Sequence, residues 1–290
     1  MSKNRLERRK NAAIMRAGLN SAKYRCLACE KANLNRNKEH FWPRWLIRFA
    51  EATKEPVSWL GKDLPAEAVQ IPLCADCNSA FGQDLEGPMS ELLPRISVGQ
   101  SVTDPECELL VRWLWKFEGL AWNAFNFHRS EARYSSKFSM RERVIGKDSL
   151  QGIRGRLVVA LALAHRNDPG LHDWSLGMDS GLGTHDAIFA SGVFRNVAMA
   201  VSFADFAHLI PPMFSTYQLA GERDLSGALV LKPEFVFPLV SDAEIVTAGA
   251  SVRLKVEHER FGERQNTNSA LVTNRPRLEI PHPALRTMGS

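Results

Sequence analysis

Four of the five cysteines fall into two Cys-x-x-Cys pairs, Cys26/Cys29 and Cys74/Cys77, with 44 residues between the pairs. Each pair places two thiolates on one turn of backbone. Two such turns can close a tetrahedral shell around Zn2+, which favours soft sulfur and has no directional preference of its own. With all four ligands drawn from the chain, no position stays open for substrate, so the zinc is expected to be structural. It would tie together a segment too short and polar to hold a core alone. A redox Cys-x-x-Cys does not explain two pairs. Cys107 lies in an amphipathic stretch and reads as buried packing.

A second group of residues lies close to the knuckles. In "NKEHFWPRWLIR", Glu39 and His40 come about ten positions after Cys29, and Asn78 directly succeeds Cys77. Hydrolysis of a phosphodiester needs a base for water and a cation on the phosphate and leaving oxygen. A histidine near its ordinary pKa can be the base. A carboxylate with an amide oxygen can hold one hard Mg2+ or Mn2+ and leave room for water and phosphate. Alternation along a regular strand would send Glu39 and His40 to opposite faces, so such a site needs an irregular turn nearby. Pro43 is consistent with one.

Local patterns suggest the helices and strands around these groups. Residues 5–19 could form a basic helix, and 43–52 read as a helix with Pro43 in the first turn and Trp45, Leu46 and Phe49 on one face. Residues 57–73 read as loop and short strand. A helix is expected from Asn78 through Glu86, stopping near Gly87-Pro88. The strongest helix covers roughly 105–124, where Leu109, Leu110, Trp113, Leu114, Phe117, Leu120 and Ala121 recur at helical spacing. Beyond 150 the texture changes to strands at 155–164, 186–194, 196–204, 228–237 and 250–258. The expected fold class is α+β: a basic arm over 1–25, a zinc-stapled module over 26–98 and a larger mixed domain of helix and strand over 99–290.

Composition is that of a globular chain, with 44% apolar and 24% charged residues. No apolar run reaches membrane-spanning length and the N-terminus has no secretory pattern, so the expected compartment is the cytoplasm and no membrane partner is expected. Charge is unevenly placed. Residues 1–25 hold eight basic side chains against one acid, which is +7 where the whole chain is +5, so the remainder sums to −2. Arg8, Arg9 and Lys10 sit in this arm, which suits a phosphate polymer or a solvated tail. Arg44 and Arg48 share a helix face beside Glu39-His40, either to hold phosphate or as a solvated face. Trp42, Trp45 and Trp59 favour a small core over base stacking. His165, His172, His185 and His258 have no partner at a recognised ligand spacing.

The ordered set Cys-x-x-Cys, Glu-His-x-x-Pro, Cys-x-x-Cys-Asn resembles the zinc-containing HNH endonucleases, the ββα-metal or His-Me finger group. The match covers residues 26–86. The resemblance implies that His40 activates water, and that Glu39 and Asn78 hold a catalytic Mg2+ or Mn2+. It implies DNA as partner and 5′-phosphate and 3′-hydroxyl products, with one strand nicked per site. The tail "CNSAFGQDLE" resembles stand-alone bacterial HNH proteins, in which Asp84 and Glu86 would be outer partners of the site or would solubilise the helix. Such proteins sit in mobile elements or anti-phage systems, including Zorya-type defence. The middle Asn common in the family has no counterpart in "AEAVQIPLC"; Gln70 is the nearest amide. The other reading is a catalytically inactive zinc-finger DNA-binding protein. In either case residues 99–290 would recognise, regulate, or bind a protein partner or a second copy.

Overall fold

A computed structural model describes residues 25–31, 38–53, 56–59, 62–126, 140–146, 149–164, 176–182, 187–210, 212, 214–220, 229–236 and 272–273. The basic arm through Tyr24, the histidines 165, 172, 185 and 258, and the strand expected at 250–258 lie outside them.

Strand β1 (Lys38–His40) pairs antiparallel with β4 (Gln70–Pro72), setting Glu39 opposite Ile71 and His40 opposite Gln70. Between them run helix α1 (Arg44–Phe49), the hairpin β2 (Pro56–Trp59) and β3 (Lys62–Pro65), and a 3-10 turn. Helix α1 is shorter than the 43–52 expected. Pro43 precedes it in an extended conformation, and Glu51 ends it at φ 58°. Glu51 donates to Arg48 O at 3.1 Å and Ala52 to Ile47 O at 3.0 Å, the two bonds of a left-handed helix stop. A non-glycine residue there costs about 1–2 kcal/mol, and Arg195 opposes that cost with a 2.7 Å ion pair to Glu51.

The helix after the second knuckle does not stop at Gly87-Pro88. It runs as α2 (Ala75–Phe81), a π turn (Gly82–Glu86) and α3 (Gly87–Ser97). The wide turn is what admits the proline. Gly87 donates back to Gly82 O, while Pro88 has no N–H for Asp84 O. Arg112 supplies the missing donor to that carbonyl at 3.3 Å.

Helix α4 (Asp104–Asn126) agrees with the expected 105–124. Glu106 accepts from Thr103 N–H at 2.8 Å and Thr103 Oγ1 at 2.9 Å, a capping arrangement. Burial opposes the Glu106 carboxylate, but the Thr103 N–H and Arg95 outweigh it and hold its pKa below the ordinary value. The apolar periodicity suggests a one-sided helix. Instead every residue from Leu110 to Ala121 except Arg112 is buried, because α4 is covered on several sides.

Helix α5 (Met140–Val144) comes next, then a sheet. Among the described residues this sheet has seven strands, ordered β10 (Ser215–Gln218), β6 (Leu157–Ala164), β9 (Val197–Phe203), β8 (Ala187–Phe194), β7 (Leu176–Leu182) and β13 (Val272–Thr273). The seventh, β12 (Glu234–Val236), lies parallel to β6, and the expected strand 228–237 breaks at Lys232-Pro233 to give a separate β11 (Leu229–Leu231). Strand β11 pairs with β5 (Val102–Thr103). Strands β7 and β10 were not expected: "LGMDSGL" is rich in glycine and "STYQ" is short.

One apolar cluster runs from Cys26 through α4 to Leu231, crossing the 98/99 boundary read from the sequence. A buried polar clasp joins α4 to the sheet side. Arg154 pairs with Asp104 and, at 2.9 Å, with Glu108, and Tyr217 Oη donates to Asp104 at 2.9 Å. Arg154→Met would leave the buried Asp104 without a cation and Glu108 with the longer, 4.0 Å pair to Arg112. It is expected to lower unfolding stability by about 3–5 kcal/mol, read by urea denaturation. A loss below about 1 kcal/mol would place the clasp among ordinary surface pairs. No helix among the described residues is long and apolar enough to cross a membrane.

Candidate functional site

The first knuckle is a tight turn. Cys26 N–H donates to Lys31 O at 2.9 Å, Glu30 N–H returns to Cys26 O at 2.9 Å, and Glu30 takes φ 60°. The second knuckle forms the start of α2, where Cys74 is the N-cap and its sulfur accepts the Cys77 N–H at 3.4 Å. The Cys26 sulfur accepts the Ala28 N–H at the same distance. Leu27 N–H bonds Pro72 O at 3.1 Å, which lays the first knuckle along β4 and brings the pairs together.

All four sulfurs lie within 4.8 Å of one another, and Cys29 Sγ is 3.9 Å from Cys74 Sγ. A tetrahedron with bonds of about 2.3 Å has sulfur–sulfur edges of about 3.8 Å. The cluster therefore fits a metal ion such as zinc. A hydrogen bond from Cys77 pulls the Cys26 thiol down to about 5, against burial, and the same bond pushes Cys77 up. Burial raises Cys29. Cys107 is buried elsewhere in the core, where burial pushes its thiol to about 12, so it is packing, as its place in the helix suggested. The knuckle is docked as well as metal-ready: Asn123 Nδ2 donates to Leu27 O at 2.7 Å, and Arg141 N–H to Ala28 O at 3.0 Å.

Glu39 and His40 are half-buried on β1. The ladder continues one bond past them, Phe41 N–H to Val69 O at 2.9 Å, and the backbone bends at Phe41-Trp42. The bend thus falls after His40, while Glu39 and His40 themselves pair in regular register, where alternation sends their side chains to opposite faces of the ladder. His40 Nδ1 is buried and makes no hydrogen bond. An unsatisfied buried nitrogen costs about 1–3 kcal/mol, and Trp42 Nε1, two residues on, is in the same condition. Asn78 is half-buried on the first turn of α2, its N–H bonded to Cys74 O at 3.0 Å. His40 ends β1, Gln70 opposes it on β4, and β4 leads through Cys74 to Asn78. Gln70 itself is exposed.

Arg44 and Arg48 are exposed on α1. Arg8, Arg9 and Lys10 lie outside the described residues. Trp42 is fully buried, with ring centroids 4.8 Å from Phe41, 5.1 Å from Phe117 and 6.5 Å from Phe194, so it is core rather than a base-stacking platform. Glu86 is neither solubilising nor exposed. Its carboxylate accepts from Trp45 Nε1 at 2.9 Å and Trp113 Nε1 at 3.3 Å, and pairs with Lys116. Helical spacing could not foresee this. The π turn adds one residue and rotates the downstream helix by about 100°, and the partners lie on helices distant in sequence.

Comparison with protein-family models, with curated proteins and with solved structures gave no match.

Proposed function

We propose that the chain is a metal-dependent DNA endonuclease of the HNH type, with a structural zinc on Cys26, Cys29, Cys74 and Cys77. The observation that carries this reading is the buried, unpartnered Nδ1 of His40, set one strand away from a four-thiol cluster and the Asn78 next to it.

In this reading His40 takes a proton from a water molecule. The water oxygen forms a bond to phosphorus as the bond from phosphorus to the 3′ oxygen breaks, leaving a 5′-phosphate and, after protonation, a 3′-hydroxyl. Glu39 and Asn78 would hold a divalent cation, their carboxylate and amide oxygens being the hard donors that Mg2+ or Mn2+ takes. When bound, that ion supplies electrostatic stabilisation to the charged phosphate and leaving oxygen. Arg44 and Arg48, with the arm residues Arg8, Arg9 and Lys10, neutralise flanking phosphates, an affinity that falls with salt and carries no sequence information. One site cuts one strand, so a monomer nicks. Anti-phage defence or a mobile element is the setting this activity suits.

The test is relaxation of supercoiled plasmid by the full chain. Relaxation is expected to stop in EDTA and return when Mg2+ or Mn2+ is added in excess, with zinc content unchanged. DNA binding with no relaxation in either ion would leave the chain a zinc-finger DNA-binding protein.

A further inference from the structure

Glu86 gathers three donors from two helices onto one carboxylate. Trp45, on α1, and Trp113, on α4, both donate to Oε2, and Lys116, also on α4, pairs with Oε1. The pair is nearly dry, with Lys116 5% and Glu86 12% exposed. The ammonium also sits 5.4 Å from the Phe81 ring centre and 4.9 Å from that of Phe117, and the Trp45 and Trp113 rings lie 6.0 Å apart. Phe81 is on α2, one turn beyond Asn78. A single polar knot therefore touches the helix bearing Asn78, the helix bearing Arg44 and Arg48, and the long helix beneath both.

Such a knot is a poor device for stability alone. Desolvating two charges is expensive, and apolar residues of similar volume often serve as well or better. What the knot adds is direction. Helix α1 has six residues, too few to hold its own orientation. Leu46 and Ile47 bury one side of it, and the Trp45 N–H adds a directional contact that must meet one oxygen. A tilt or small roll of α1 that keeps Leu46 and Ile47 buried would still move the guanidinium groups of Arg44 and Arg48, which stand at the far ends of long side chains on the exposed face.

We infer that Glu86 is a positioning residue: through Trp45 it sets where Arg44 and Arg48 present their guanidinium groups relative to His40 and Asn78. This rests on the nuclease reading for its catalytic consequence but not for its effect on DNA binding. The partner is the phosphate backbone flanking the cut.

The test uses the full chain, a labelled duplex for binding and supercoiled plasmid for turnover. The apolar swap Glu86→Leu/Lys116→Met avoids a buried lone charge and is expected to fold, with stability lowered because the Trp45 and Trp113 N–H groups lose their acceptor. Its half-saturating DNA concentration should rise about tenfold and the slope of log affinity against log salt should lose about two counterions. Maximal turnover should stay within about twofold. Glu86→Gln/Lys116→Met keeps an acceptor for the Trp45 N–H and should recover most of the binding. Adding Arg44→Ala and Arg48→Ala to the apolar swap should cost nothing further, since their contacts are already lost. Wild-type binding and salt slope in the folded apolar swap would overturn the inference, as would fully additive losses. Absence of wild-type nicking would sink the nuclease reading and leave the binding measurements to decide Glu86.

Discussion

His40→Ala is expected to abolish plasmid nicking while zinc content and thermal unfolding stay close to wild type. A general base contributes about 10²–10⁴-fold, a loss large enough to take nicking below detection. The fold should tolerate the change for a structural reason. Nδ1 makes no hydrogen bond, so its removal breaks none and takes away an unsatisfied buried atom. The adjoining ladder bond, Phe41 N–H to Val69 O, belongs to the backbone and remains. The β1–β4 pairing and the cysteine cluster do not use the imidazole. Unchanged nicking by His40→Ala would remove the mechanism outright, whatever the metal dependence. Lost nicking accompanied by lost zinc would say only that the module had unfolded.

Cys74→Ser should release the zinc and unfold the module around it. Cys74 is also the N-cap of α2, and serine is among the best N-caps. Substitution therefore keeps the cap and removes a thiolate, so a large loss of stability must come from the metal. Structural zinc contributes on the order of 10–16 kcal/mol in finger peptides, comparable to the whole of a domain's typical net stability of about 5–15 kcal/mol. The damage should spread beyond the knuckles. Leu27 O and Ala28 O accept from Asn123 and Arg141, so a first knuckle that lets go exposes partners on α4 and α5. Metal analysis together with circular dichroism checks this. A metal-free Cys74→Ser protein that keeps its fold and its melting temperature would refute the structural role.

Much of the architecture was legible in the chain. The cysteine spacings, the long helix over 104–126 and the strands at 157–164, 187–194 and 197–203 each rest on a local rule, and the structure has them. The failures share a cause. Gly87-Pro88 reads as a stop because proline lacks a donor, yet the helix continues because Arg112 reaches the stranded Asp84 carbonyl. Strand β7 carries two glycines that local propensity penalises, and it forms because β8 pairs along its whole length.

Which side chains can bind a metal or move a proton was already written in the chain, because thiolate pairs on one turn and a Glu-His-x-x-Pro stretch are properties of a few adjacent residues. Which of them meet was settled by folding. Strand pairing set Gln70 across from His40, packing left His40 Nδ1 without a partner, and the π turn swung Glu86 from solvent toward Trp45, Trp113 and Lys116. Those outcomes depend on register, on one extra residue in a wide helical turn and on burial of charges distant in sequence, none of which a local pattern encodes.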